Sequence, residues 1–199
     1  MGKKYVKKYR IASARLQNWD YRWAAAYFIT ITTKDRKCYF GDIIDGKMVL
    51  SNVGVLANVF LYEIKNHAKN VELGEFVIMP NHVHLILILH GVVNDDDNVV
   101  GAVETRHALS LPPQPQKTIG QKRFQNQGKN SVSSIIGSYK AAVTRHANRL
   151  GLEFGWQSRF YDHIIRNERS FINISNYIID NVRKWERDKF FKDKSCVTV

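Results

Sequence analysis

The chain has little of what marks a secreted or membrane protein. Its two cysteines, Cys38 and Cys196, lie far apart and suggest neither a disulfide framework nor a zinc ribbon. No apolar N-terminal segment resembles a signal peptide. The most apolar region, 76–93, is interrupted by Pro80, Asn81 and two histidines, so it does not predict a membrane span. We therefore expect a reduced, cytoplasmic protein.

Acidic residues are also scarce. The chain has 30 Lys and Arg against 18 Asp and Glu, a formal net charge of +12. This excess favours a polyanionic partner, nucleic acid first and an anionic membrane surface second, over a basic protein without such a partner. The length of 199 residues and the apolar fraction of 44% indicate one globular domain with an added arm or insertion.

Composition divides the chain into three parts. Residues 1–23 are basic and aromatic, which predicts either a nucleic-acid-binding arm or a solvated terminus. Residues 24–190 form the main domain and contain a flexible insertion over 91–130, where acidic, Pro-rich and Gln-rich segments follow one another. Residues 191–199 form a tail.

Apolar periodicity predicts the elements of the main domain. We expect strands over 27–33, 71–79, 82–90 and 156–165, a hairpin over 38–50 turning at Asp45-Gly46, and helices over 51–68, 131–150 and from 167 or 170 to about Trp185. Apart from the hairpin, the order is β-α-β-β-α-β followed by a helix. This order is typical of an α+β, ferredoxin-like (RRM-like) sandwich, in which helices cover one face of an antiparallel sheet.

His82-Val83-His84 opens one of the predicted central strands. Because side chains alternate along a strand, both imidazoles lie on one face and Val83 lies on the other. Two such imidazoles are half of a metal site, although such pairs are common and could also face water or a helix end. Tyr177 and Asn181 share one side of the last helix, and the spacing makes it geometrically possible for them to reach the histidines.

Four segments, in order, resemble the signature blocks of the single-tyrosine HUH transposases, in particular the REP-associated tyrosine transposases. They are Tyr27-Phe-Ile-Thr-Ile-Thr-Thr33, Val77-Ile-Met-Pro-Asn-His-Val-His84, Trp156-Gln-Ser-Arg-Phe-Tyr-Asp-His-Ile-Ile-Arg-Asn167 and Asn176-Tyr-Ile-Ile-Asp-Asn181. The resemblance implies the fold predicted above, with Tyr177 as nucleophile and His82, His84 and Asn181 as metal ligands. Relatives commonly have proline after the last Asn, whereas this chain has Val182, which should let the helix continue.

The resemblance also implies a chemistry. With Mg²⁺ or Mn²⁺ bound, the tyrosine would attack a phosphodiester of single-stranded, hairpin-bearing DNA and form a 5′-phosphotyrosine bond that a second 3′-hydroxyl can reverse. Family members include monomers and homodimers that share active sites, so the oligomeric state stays open. Two other functions also stay open: a nucleic-acid-binding module without chemistry, and a metal-dependent phosphodiesterase that uses water.

Several further residues are candidates for a functional role, and each of them could instead be structural or simply solvated. Tyr161 is a rival nucleophile, although a strand aromatic is more often structural. His163 and Asp162 could contact substrate or make structural hydrogen bonds. Tyr139 is expected in the core. Four cations are candidate DNA contacts that could as well be solvated: Lys140, Arg145, Arg159 and Arg166.

Overall fold

The computed structural model describes residues 19–90 and 130–191. Six strands are formed: β1 (Ala25–Thr33), β2 (Gly41–Ile44), β3 (Lys47–Leu50), β4 (Val71–Met79), β5 (His82–Leu89) and β6 (Trp156–Ile165). Four α-helices are formed in the same residues: α1 (Asn52–Tyr62), α2 (Ile64–His67), α3 (Val132–Arg149) and α4 (Glu168–Asp180). Short 3₁₀ turns cover Lys34–Arg36 and Val182–Arg187.

Four of the strands form one antiparallel sheet in the order β4-β5-β1-β6. This is the order expected of a ferredoxin-like sandwich, so the predicted α+β fold is confirmed. The strand that begins with the two histidines, β5, is central and pairs with β4 and β1. The smaller strands β2 and β3 form the predicted hairpin, and both turn residues, Asp45 and Gly46, adopt positive φ.

The two faces of the sheet carry separate apolar clusters. Alternate residues of β5 pack with α1 and α3 in the main core, which includes Val83, Leu85, Leu87, Ala57, Leu61, Ile136 and Val143. The opposite face is covered by α4 through a smaller cluster of Ile86, Ile165 and Ile178. Because His82 and His84 alternate with Val83 and Leu85, they lie on the face that α4 covers.

Side-chain caps set the beginnings of the three long helices. The hydroxyl of Ser51 accepts a hydrogen bond from Gly54 N, and the hydroxyl of Ser131 accepts one from Ser134 N. At α4 the cap is Asn167, whose side-chain oxygen accepts from Ser170 N. Each cap satisfies a backbone donor that the first helical turn leaves without a partner.

The helix ends differ from the predictions in two places. The helix predicted over 51–68 is divided at Glu63, where the chain has a turn between α1 and α2. The last α-helix ends at Asp180, and the chain continues as a 3₁₀ turn through Trp185. With valine instead of proline at position 182, the chain continues along a helical path. The path is a 3₁₀ turn rather than an α-helix, and Trp185 is buried in this tighter turn.

Some predictions lie wholly or partly outside the described residues. The insertion is described only at Asn130, the tail only at Phe191, and the basic arm only from residue 19. Residues 19–23 of the predicted arm pack against the domain, with Trp19 and Tyr21 buried in the main core. Among the described residues no helix is both long and apolar enough to cross a bilayer.

Two helical glycines provide a matched test of packing. A Cβ at Gly54 would lie 2.1 Å from Phe40 O, whereas a Cβ at Gly137 would meet nothing within 4 Å. We expect Gly54→Ala to lower the free energy of unfolding by about 1–3 kcal/mol through overpacking. Gly137→Ala should raise it by about 0.5–1 kcal/mol, because alanine loses less backbone entropy in a helix. Urea denaturation of both variants measures the difference, and equal effects would contradict the close approach of α1 to Phe40.

Candidate active site

The two histidines lie side by side under the last helix. His82 and His84 are 0% and 1% exposed, and their ring centroids are 4.5 Å apart. They are the first and third residues of β5, just after the tight Pro80-Asn81 connection. The prediction that they share one face of a central strand is confirmed.

Neighbouring side chains orient both imidazoles. The Asn81 amide nitrogen donates to the backbone carbonyls of Phe190, at 2.9 Å, and Arg36, at 3.3 Å, which turns its oxygen toward His82 Nδ1 at 2.9 Å. The Nδ1 atom of His82 must therefore carry the proton, which leaves the lone pair on Nε2. His84 Nδ1 is similarly engaged by Thr30 Oγ1 at 2.9 Å. This support from neighbouring groups is typical of histidines that bind a metal.

Tyr177 reaches the histidine pair from α4. Its hydroxyl is 3.3 Å from His84 Nε2 and 3.4 Å from Asp188 Oδ2. The ring packs edge-on near His84 and Phe28, at centroid distances of 5.3 and 6.1 Å, and remains 39% exposed. The phenol is thus held at the histidines and is still open to solvent, as a nucleophile for a large substrate must be.

The surroundings of Tyr177 favour its neutral form. Burial raises its pKa from the ordinary value, and the charge of Asp188 raises the pKa further. The Asn181 side chain opposes this shift by a hydrogen-bonding interaction that stabilises the phenolate. Attack by this oxygen would therefore need help in removing the proton.

Asn181 and Asp188 complete the group of possible ligands. Asn181 follows α4 directly and is 2% exposed, and its Oδ1 atom, like His82 Nε2, is buried without a hydrogen-bond partner among the described residues. Ligand atoms of His82, His84 and Asp188 lie within 4.8 Å of one another. Orphaned buried acceptors are rare and costly, and imidazole nitrogens with amide and carboxylate oxygens suit a divalent ion. The residues present therefore fit a metal.

Both imidazoles are neutral at physiological pH. Burial lowers the pKa of His82 well below its ordinary value, and electrostatic interactions with His84, Lys189 and Arg36 lower it further. Burial, followed by the charge of Lys189, lowers the pKa of His84 to about 3. Only neutral imidazole can ligate a metal, so the site is ready for a cation without first releasing protons.

These shifts make the metal-free protein sensitive to acid. As the pH falls below the unfolded value of about 6.5, unfolded chains bind protons that the folded chains do not. The free energy of unfolding should therefore be level above neutrality and fall below pH 6.5, by up to about 1.4 kcal/mol per pH unit for each histidine. Urea denaturation between pH 8 and 5 measures this slope. His84→Leu should reduce the slope, and a slope that His84→Leu leaves unchanged would contradict the assignment.

Three contributors were missed by the sequence analysis: Asp188, Phe190 and the supporting role of Asn81. After the 3₁₀ turn the chain returns over the site, and the Phe190 ring lies 4.6 Å from that of His82. Asn81 adjoins His82 in the sequence, and that adjacency was an available signal. No local pattern marks Asp188 or Phe190.

The other candidates are distributed around the domain. Lys140 and Arg145 lie on α3, on the sheet face opposite the histidines, and the Lys140 ammonium donates to Gln157 O at 2.6 Å. Arg159 and Arg166 are exposed, within β6 and just after it. Tyr139 is buried and donates to Ala57 O, as expected of a core residue. Three residues lie on β6, away from the histidine contacts: Tyr161, Asp162 and His163.

Comparison with known proteins agrees with this architecture. No family model matches the chain. An uncharacterized protein of Haemophilus influenzae is 35% identical over 182 residues, covering 91% of this chain and 93% of that protein. A second protein of the same organism, provisionally named a REP-associated tyrosine transposase, is 24% identical over 189 residues, covering 87% of this chain and 84% of its own.

A solved structure is also similar. It is that of a REP-associated tyrosine transposase bound to a REP hairpin, and it matches with a TM-score of 0.54 and 18% identity. The match covers 90% of this chain and 77% of the other. At that identity the likeness shows a shared fold.

Proposed function

Because this chain belongs to the family of the REP-associated tyrosine transposases, we propose that it cleaves and rejoins single-stranded, hairpin-bearing DNA in transposition. The observation that carries the proposal is the meeting of Tyr177 with the histidine pair. Its hydroxyl lies 3.3 Å from His84 Nε2, although the two residues are 93 positions apart in the sequence. A phenol beside neutral imidazoles is the arrangement that an HUH single-tyrosine site requires.

The metal ligands in this proposal are His82, His84 and Asn181. They are suited to Mg²⁺ or Mn²⁺, and Asp188 is a further oxygen donor at the same place. When bound, such an ion would polarise a nonbridging phosphate oxygen of the substrate. The imidazoles are held for this by Asn81 and Thr30, whose hydrogen bonds fix the ring orientations.

Tyr177 then acts as the nucleophile. Its oxygen attacks the phosphorus, the DNA 3′-oxygen leaves, and the 5′-phosphate remains on the tyrosine. The bond formed is again a phosphodiester, so a 3′-hydroxyl can reverse the step without ATP. The phenol must lose its proton, and the Asp188 carboxylate, which accepts a hydrogen bond from the hydroxyl at 3.4 Å, would receive it.

DNA is the proposed partner on grounds of charge and of family. The net charge of +12 favours a phosphate backbone, and a similar protein has been solved with a REP hairpin. Of the candidate cations, Arg159 and Arg166 lie on or beside the β6 edge, whereas Lys140 and Arg145 belong to the helical layer.

Trapping of the covalent intermediate tests the proposal. The protein is incubated with Mn²⁺ or Mg²⁺ and a labelled hairpin that carries single-stranded flanks, and the products are separated on a denaturing gel. We expect a labelled protein band whose tryptic adduct maps to the peptide that contains Tyr177. Cleavage without an adduct would instead indicate the water-using phosphodiesterase, and binding without cleavage would indicate the non-catalytic module.

A further inference from the structure

We propose that Tyr161 is a stacking platform for an unpaired base within about three nucleotides of the cleaved phosphate, with Lys189 holding the phosphate beside that base. This inference extends the proposed function to a nucleotide subsite on the edge strand β6. The subsite would determine how the single-stranded flank of a hairpin is presented to Tyr177.

The strand register places Tyr161 in the same cross-strand row as a site histidine. Thr30 of β1 pairs with His84 on one side and with Tyr161 on the other. Adjacent strands lie about 4.8 Å apart, so the Cα atoms of His84 and Tyr161 are separated by about 10 Å. Bases stacked at about 3.4 Å per nucleotide cover that distance in about three steps.

The face of β6 that carries Tyr161 is the face of the active site. Phe160 and Ile164 pack into the main core, whereas Ile165 packs with Ile178 under α4. By alternation Tyr161 and His163 point to the same side as Ile165. The tyrosine is 51% exposed, which leaves much of the ring available to a planar ligand.

A cation connects this ring to the site. Lys189 Nζ lies 6.0 Å from the centroid of Tyr161 and 4.9 Å from that of Phe190, whose ring covers His82. An exposed aromatic ring next to an ammonium group is the combination with which proteins bind single-stranded nucleic acid, the base on the ring and the phosphate on the cation.

The occupant is therefore single-stranded DNA that continues from the active site. Its sequence specificity at this position should be low, because every base offers a face for stacking. Tyr161 would thus position the substrate. The sequence presented Tyr161 as a rival nucleophile or a structural aromatic, and its separation from the histidines disfavours the first role.

Binding measurements on a protein that cannot react test the subsite without depending on chemistry. In a Tyr177→Phe background, the affinity is measured for a hairpin with a three-nucleotide flank on each side and for the same hairpin without flanks. Adding Tyr161→Ala should weaken binding of the flanked hairpin by about 5- to 150-fold, the range that one stacked base contributes. Binding of the bare hairpin should change less than twofold, and Tyr161→Phe should bind both as the background protein does.

Tyr62 supplies a matched control. It is 52% exposed on α1, on the other face of the sheet, so Tyr62→Ala should have no effect. 2-Aminopurine at successive flank positions should be quenched at one position, and the quenching should disappear in Tyr161→Ala. Lys189→Gln should reduce the slope of log affinity against log salt concentration by about 0.7.

Four results would overturn the subsite: undetectable binding of the flanked hairpin, unchanged affinity in Tyr161→Ala, equal losses for the bare hairpin, or a loss in Tyr161→Phe that shows the hydroxyl to be the contact. Failure of the proposed catalysis is distinguishable from each of these. A protein that never forms an adduct would still show the loss in flank binding.

Discussion

Tyr177→Phe is expected to eliminate both the covalent adduct and strand cleavage, a loss of at least about 10⁴-fold in rate. The substitution removes only the attacking oxygen, and the retained ring can still pack beside His84 and Phe28. The Tm should therefore equal that of the parent protein, and the affinity for the flanked hairpin should stay within twofold of the parental value. The measurement is a single-turnover cleavage assay together with adduct detection on a denaturing gel.

Tyr161→Phe is the control for this experiment. Both residues are solvent-accessible tyrosines on the same face of the sheet, but only Tyr177 contacts a site histidine. Tyr161→Phe should form the adduct at the parental rate. An adduct that persists in Tyr177→Phe, or one that is lost in Tyr161→Phe, would reassign the nucleophile.

Replacing either site histidine is expected to have the second largest effect. His82→Ala and His84→Ala should each weaken binding of Mn²⁺ by more than about 100-fold, because loss of a supporting residue alone typically costs 10- to 100-fold. Cleavage at a fixed metal concentration should decline in parallel. Isothermal titration with Mn²⁺ in the absence of DNA measures the binding directly, so the result does not depend on activity.

His90 provides the comparison for these variants. It follows the same strand and is half-buried, with Nε2 3.2 Å from a Glu72 carboxylate oxygen. His90→Ala should leave Mn²⁺ binding and cleavage unchanged. Asn181→Ala, which removes the buried orphan oxygen, should weaken binding less than loss of a histidine does. Parental Mn²⁺ affinity in His82→Ala would show that the ion does not bind at this pair.

Local pattern was sufficient for most of the fold. Strand alternation predicted which side of β5 carries the histidines, and the Asp45-Gly46 signal predicted the hairpin turn. The order of elements then restricted the topology to the one observed. The helix boundaries were less predictable, since the turn at Glu63 and the 3₁₀ turn that buries Trp185 depend on packing between distant segments.

The site could be predicted only in part for the same reason. His82, His84, Tyr177 and Asn181 could be proposed from the sequence because their spacing and their resemblance to known blocks are properties of short segments. Asp188 and Phe190 belong to a segment with no such pattern, and they reach the histidines because the chain turns back after α4. A contact made by a returning segment leaves no periodic signal.

The sequence by itself determined the elements, the shared face of His82 and His84, the excess of positive charge and the family resemblance. Those properties follow from side-chain alternation and helical periodicity, which act over a few residues, and from composition, which does not depend on how the chain folds. Tertiary structure alone decided that Tyr177 lies at His84, that Asp188 joins the group and that Tyr161 shares a row with the site. Each depends on strand register and on the docking of α4, where segments far apart in the chain must fit one another in space.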